Sequence, residues 1–189
     1  MPNKSFSVTV LNQIKKYNRT IKVDSDKSIS IRSFLIGAIS HNISEVSNIL
    51  ESDDVYSTIN CLKKLNVKIK KIGKKKYHIY GKGLGSFCAK KNTLLNCGNS
   101  GTLARLLIGI LSTTPEIKVK ITGDKSLKKR NMSKLINLMN EFGAEFEKNK
   151  FNFPLTMTSS AMPVGVNYES GVSAQLKSAV ILAGLNSFG

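Results

Sequence analysis

Residues 28–40 read SISIRSFLIGAIS, with apolar side chains at 29, 31, 34, 35, 36, 38 and 39. That density exceeds the single stripe of a surface helix and predicts a largely buried one opening just after Lys27. Ser52-Asp53-Asp54 forms an N-cap cluster ahead of Val55, Ile59, Leu62 and Leu65, which share one helical face. Two alternating stretches, 67–72 and 77–80, flank Gly73-Lys74-Lys75-Lys76 and predict a β-hairpin. Asn99-Ser100-Gly101-Thr102 opens a second apolar helix running to about Ser112. Residues 117–121 alternate as a strand, and a further helix is expected near 131–142. Segments 144–146, 152–157 and 164–168 are strand candidates, and Ser173-Ala174-Gln175 opens a last helix over 176–185. Near the start, 5–10 and 20–23 read as short strands.

These elements repeat. The apolar helices open at Ser28, Gly101 and Ser173, at intervals of 73 and 72 residues. The second helices end in matching words, CLKKLNVKI over 61–69 and LMNEFGAEF over 138–146. The pattern predicts an α/β chain of strand–helix–strand–helix–hairpin units, two complete and a third begun. A repeat cut mid-unit cannot bury the faces that its remaining strands would cover. The sequence is therefore expected to be part of a longer polypeptide, or to need another chain.

Composition narrows the function. The chain has 189 residues, 41% hydrophobic and 22% charged, which suits a folded domain with a sizeable core. No apolar run approaches the roughly 20 residues of a membrane helix, and the first twenty residues contain no apolar leader stretch. The expectation is a cytoplasmic protein without a membrane partner. Three cysteines, with no C-x-x-C pair, argue against a disulfide framework or a zinc site. His41 and His78 are isolated, so no metal site is expected.

The net charge is +17. Such an excess attracts anions, whether phosphates, carboxylates or nucleic acid. It also fits a coding bias towards lysine, since 25 of the 29 basic residues are Lys and only four are Arg. The hairpin carries six lysines between Lys68 and Lys76, read here as a solvated edge. Without interleaved aromatic residues beyond Tyr77, a nucleic-acid partner is not expected there. A non-catalytic basic protein that binds polyanions is the alternative function. Where lysine is the default cation, each arginine marks a place needing a planar, bidentate donor. Arg32, Arg105 and Arg130 all fall inside motifs that carry chemistry.

The first motif is DKSISIR over 26–32, which puts Lys27 and Ser28 at a helix N-terminus with Arg32 one turn in. The second is Gly98-Asn99-Ser100-Gly101-Thr102 followed by Arg105, whose glycines let backbone approach a ligand closely. It lacks the spacing of a P-loop. The third, GDKSLKKR over 123–130, repeats the D-K-S-x-x-x-R spelling at the start of another helix and ends on Arg130. The fourth, GVSAQLKSA over 171–179, places Ser173, Ala174 and Gln175 at the third helix opening. If equivalent unit ends point the same way, these helix tips converge on one site for a multiply anionic small ligand.

DKSISIR, GNSGTLARLL, GDKSLKKR and SAQLKSAVILAGL together resemble, in order and spacing, the EPSP synthase (3-phosphoshikimate 1-carboxyvinyltransferase) family. The resemblance covers nearly the whole chain but only the N-terminal two-fifths or so of a family member. It implies an inside-out α/β barrel domain of β-α-β-α-β-β units, here two full units and part of a third. It also implies that 1–20 belong to the other domain and 21–189 to the N-terminal domain, truncated in its third repeat. The implied reaction moves the enolpyruvyl group of phosphoenolpyruvate to the 5-hydroxyl of shikimate 3-phosphate and releases phosphate, in aromatic amino acid biosynthesis, with no cofactor.

Carried over by position, Lys27, Asn99, Gly101 and Arg130 are implied to hold phosphoenolpyruvate. Ser28, Arg32, Ser173 and Ala174 are implied to hold shikimate 3-phosphate, and Gln175 to lie between both ligands. Three departures stand out: Asp24-Ser25 where the family often has Pro-Gly, Asn131 where Pro usually follows the arginine, and Leu106 where another subclass has Pro. The family's proton-transfer carboxylates lie beyond the residues present, so no general acid or base is nominated. The chain alone is expected to show no turnover, and its implied partner is the C-terminal domain, in cis or in trans.

Overall fold

The computed structural model describes residue 9 and residues 23–169 and 171–187. The strand at 5–10, most of the strand at 20–23 and the segment 1–20 assigned to another domain lie outside the described residues.

The first unit runs α1 (Lys27–Ile39), β1 (Ile43–Val46), α2 (Asp53–Lys64), β2 (Lys68–Gly73) and β3 (Lys76–Tyr80). The second runs β4 (Leu94–Asn96), α3 (Gly101–Ser112), β5 (Lys118–Thr122), α4 (Lys125–Lys128), α5 (Ser133–Glu141), β6 (Glu145–Phe146) and β7 (Leu155–Thr158). Then α6 (Ala174–Asn186) repeats the position of α1 and α3. The repeat holds at the level of pairing. One sheet has the order β1-β3-β2 and the other β4-β5-β7-β6, so β5-β7-β6 copies β1-β3-β2. The copied pairs are antiparallel in both sheets, and β4 adds a parallel neighbour to β5.

Each sheet buries one face against the helices. Val119 and Ile121 of β5, and Tyr77 and Ile79 of β3, point inward, while Lys118 and Lys120 alternate to solvent. The two units share one continuous apolar core. The hairpin lysines are engaged locally. Lys71 pairs with Glu51 at 2.6 Å and Lys76 with Glu45 at 2.7 Å, while Lys68 lies over the Tyr80 ring at 4.7 Å. That is the solvated edge expected from the sequence.

The three equivalent helices are started alike. Asp26, Ser100 and Ser173 each accept a hydrogen bond from the backbone N–H three residues on, at 2.7, 3.2 and 3.4 Å. Among them α3 is the hub, buried at every position except Arg105. It packs against α6 at Gly109, where the Ala179 carbonyl leaves no room for a side chain. Asn186 completes the seam, donating to Ile110 O at 3.0 Å and to Thr114 Oγ1 at 3.0 Å. By contrast α1 and α6, equally apolar on all sides, leave Ile29 and Ile36, and Ile181 and Leu185, exposed.

Three expectations need correction. Residues 164–168 form no strand, because alternation supplies an apolar side but no backbone partner reaches them among the described residues. GDKSLKKR does not open the helix of 131–142. It forms the single turn α4, capped by Asp124, and Arg130 lies in the loop before α5. Ser52 stands at the N-cap of α2, but its hydroxyl makes no cap hydrogen bond and is buried without a partner among the described residues. The short strands β1 and β4 are not predicted by the sequence pattern.

Candidate functional site

The tips of α1, α3 and α6 converge. A cavity of about 410 Å³ is lined by Lys27 and Ser28 from α1, Gly101 and Thr102 from α3, and Gln175 from α6, together with Asp54, Asn99 and Arg130. Asp26 caps α1 from below, so Lys27 and Ser28 are its first two residues and lie at the positive end of the helix dipole. The turn into α3 depends on Gly98, whose φ of +56° is costly for a residue with a side chain. Arg130 reaches in from the loop after α4. Its Nη2 donates to Asn99 Oδ1 at 2.9 Å, and its own carbonyl accepts from Asn152 Nδ2 at 3.1 Å.

Gly101 is where the cations crowd. A Cβ there would lie 2.7 Å from Arg105 Nη1 and would also run into Arg130 Nη1, so any larger residue would push both guanidiniums from these positions. Burial first, and then the neighbouring Arg130, push the Arg105 guanidinium below its usual pKa. Neither arginine pairs with a carboxylate among the described residues. Among the described residues the one carboxylate lining the cavity, Asp54, is taken by Lys27 at 3.0 Å. Two cations held together without a counter-ion, beside three helix N-termini, make a site that gains from an anion.

Of the residues expected from sequence, Lys27, Ser28, Asn99, Gly101, Arg130 and Gln175 line this cavity. Ser173 caps α6 and lines a neighbouring cavity of about 740 Å³, which Gln175 and Arg105 share. Arg32 lies on the seam between α1 and α6, donating to Ser28 O at 3.2 Å and to Ser178 Oγ at 3.4 Å. Ala174 is the first residue of α6 and lines neither cavity. Asp54 is not among the residues expected from sequence, and Thr102 and Arg105 enter there only as parts of their motif. The scarcity of arginine already flagged Arg105, whereas Asp54 reads in sequence as an ordinary helix-start acid. Among the described residues no cluster of three or more His, Cys, Asp or Glu could hold a metal ion. No described helix is long and apolar enough to cross a membrane.

Comparison with known proteins identifies the family and the fold. The family model described as EPSP synthase (3-phosphoshikimate 1-carboxyvinyltransferase) matches residues 11–189. A 3-phosphoshikimate 1-carboxyvinyltransferase of Desulforamulus reducens is 40% identical over 178 residues, which is 93% of this chain and 41% of that protein. One from Paracoccus denitrificans is 38% identical over 170 residues, 89% of this chain and 38% of that protein. The solved EPSP synthase of Acinetobacter baumannii superposes with a TM-score of 0.81 at 34% identity, over 89% of this chain and 38% of that one. The chain thus spans about two-fifths of the length of the relatives it matches. On the family model, the shared fold and the ordered motifs, this chain belongs to the EPSP synthase family.

Proposed function

We propose that this chain supplies the N-terminal part of a cytoplasmic enzyme that transfers the enolpyruvyl group of phosphoenolpyruvate to the 5-hydroxyl of shikimate 3-phosphate, with release of phosphate. The observation that carries this reading is the pair of guanidiniums, Arg105 and Arg130, meeting over Gly101 at the α3 tip without a carboxylate partner among the described residues. Lys27, Asn99, Gly101 and Arg130 hold the carboxylate and phosphate of phosphoenolpyruvate. Ser28, Arg32, Ser173 and Ala174 hold shikimate 3-phosphate, and Gln175, which lines both cavities, stands between the two ligands. Two anionic ligands repel each other. Convergent cations and helix tips offset that repulsion and fix the reacting atoms in proximity.

Turnover also needs a proton donor and acceptor. Asp54, the carboxylate among the described residues that line the cavity, is tied to Lys27, and the acid and base are proposed to lie in the part of the relatives beyond this chain. The exposed apolar stripes on α1 and α6 fit the same division, because the corresponding faces of α3 are covered by neighbouring helices. The test is a titration of the isotope-labelled chain with phosphoenolpyruvate and shikimate 3-phosphate, followed by a phosphate-release assay. Shifts at Lys27, Asn99 and Gln175 without steady-state phosphate release are expected. Turnover by the chain alone would contradict the division of labour, and silent site resonances would contradict the assignment of the cavity.

A further inference from the structure

Gln175 enters the site with its carboxamide already committed. Arg105 Nη1 donates to Gln175 Oε1 at 2.7 Å, and Gln175 Nε2 donates to Thr102 Oγ1 at 3.1 Å. The same Arg105 Nη1 is anchored to its own helix by Gly101 O at 3.2 Å. An amide's oxygen and nitrogen have nearly the same shape, so an unconstrained glutamine can face a ligand with either. Here it cannot. Arginine has no acceptor, so the atom facing Arg105 must be the oxygen. The second N–H of Gln175 then has no acceptor among the described residues, and neither has the Thr102 hydroxyl hydrogen. Both residues line the smaller cavity, whereas Arg105 does not.

We infer that Arg105 is a positioning residue that locks Gln175, and through it Thr102, so that the cavity shows this side of the ligand only donors. Released from Arg105, the carboxamide would turn its oxygen towards an anion in part of the population and repel it. The clamp also joins two helices, since Arg105 and Thr102 stand on α3 and Gln175 on α6. The donor array is therefore assembled only when α3 and α6 are in register. The inference rests on reading the cavity as a phosphoenolpyruvate site. It adds a specificity role for a residue that need not touch the ligand.

The experiment uses the whole chain, with Arg105→Met and Arg105→Lys. The heteronuclear NOE of the Gln175 side-chain amide reports its order, and phosphoenolpyruvate titration reports affinity. In the parent the amide is expected to be as ordered as the α6 backbone. In Arg105→Met it becomes mobile and affinity falls about tenfold, the loss of one charge-assisted constraint. Arg105→Lys, which keeps one donor, restores much of both. An equally ordered amide and unchanged affinity in Arg105→Met would overturn the clamp.

If the parent binds no phosphoenolpyruvate but the amide loosens in Arg105→Met, the clamp stands and the ligand assignment falls. If Arg105→Met does not fold, Gln175→Glu decides. It still accepts from Arg105 but has no N–H for the ligand, so it should fold and lose phosphoenolpyruvate binding. Parent-like binding by Gln175→Glu would refute the inference.

Discussion

Arg105 and Arg130 each bring an Nη1 against the same residue, Gly101, at the tip of α3. The glycine leaves space for both, because a Cβ there would displace both guanidiniums from these positions. Arg130 is the freer of the two, held in a loop and bonded to exposed Asn99, and it also meets the closer contact, so it moves further. Gly101→Ala is therefore expected to leave the thermal midpoint within a few degrees of the parent while abolishing most of the stabilisation by phosphoenolpyruvate. At a ligand concentration about a hundredfold above Kd, that stabilisation is about 2.7 kcal/mol in the parent. Differential scanning fluorimetry with and without ligand measures both quantities. An undiminished ligand shift in Gly101→Ala would show that Arg130 is not part of the anion site.

Asp54 opposes the same chemistry. Its side chain is 14% exposed and Lys27's 51%, so the pair is half in water and contributes at most about 1 kcal/mol to stability. Its negative charge nevertheless faces the anion and occupies a lysine that would otherwise reach it. Asp54→Asn should tighten inorganic phosphate or phosphoenolpyruvate binding about fivefold, since a charge a few ångströms away near a protein surface is worth about 1 kcal/mol or more. Isothermal titration calorimetry reads this directly, and weaker binding would mean that Asp54 helps to orient the ligand through Lys27.

How much of this was legible in the sequence depends on how local each signal is. The D-K-S spelling at 26–28 and 124–126 is a local solution used twice, with Asp26 and Asp124 each accepting from the backbone N–H three residues on. Such caps, the apolar density of α1 and α3, and the repeat spacing can be read one segment at a time. Partners set by distant chain cannot. β1 and β4 are three or four residues long, too short for a period, and exist because Ile43 meets Tyr80 and Leu94 meets Lys120. The clamp of Arg105 on Gln175 spans 70 positions, so no local pattern predicts it. The segment 164–168 failed for the opposite reason, since its alternation is real but alternation does not supply a partner.

The thiols divide by environment. Cys88 is exposed, while Cys61 and Cys97 are buried. The hydrogen bond with Cys61, and then burial, push the Cys97 thiol up, away from its reactive thiolate form. A chromogenic disulfide reagent should titrate Cys88 rapidly in the native chain and the other two only on unfolding. Fast labelling of Cys97 would mean that the turn before Gly98 opens readily and that the α3 tip is not held in advance of ligand.

Glu51 should contribute to both the acid and the alkaline limbs of stability, beside the paired carboxylate of Glu45 on the acid side and the burial of Tyr77 on the alkaline side. Lys71 and then Tyr77 donate to its carboxylate and hold it below the ordinary 4.5. A depressed carboxylate contributes stability above its ordinary value and loses it as pH falls below that. Burial and then Glu51 raise the Tyr77 phenol above its ordinary 10.0, and Glu51 raises Lys71 above 10.5. Those contributions are present below about 10 and lost as pH rises past it. Thermal midpoints from about pH 3 to about pH 11 should therefore fall at both ends in the parent and be flatter in Glu51→Gln. Identical profiles would remove Glu51 from the account.

Gly109 tests whether site and core are one structure. A Cβ there would lie 2.5 Å from the Ala179 carbonyl oxygen and 3.0 Å from its carbon, and all of these are backbone atoms that no rotamer change relieves. Replacing a mid-helix glycine by alanine gains up to about 1 kcal/mol of helix propensity. Forcing an extra methyl into a packed seam costs about 1–3 kcal/mol. Because the contact is backbone, the upper part of that range applies and the cost wins. Gly109→Ala should lose roughly 1–2 kcal/mol in urea unfolding.

The change should also reach the ligand. α6 can make room only by moving off α3, which strains the hydrogen bonds of Asn186 to Ile110 and of Thr113 to Ala183. At the other end of the seam it draws Gln175 away from Arg105 and Thr102. Phosphoenolpyruvate affinity should therefore fall in a substitution two helical turns from the cavity. A Gly109→Ala variant more stable than the parent and equal in affinity would show that the α3–α6 seam yields without cost and does not set the geometry of the helix tips.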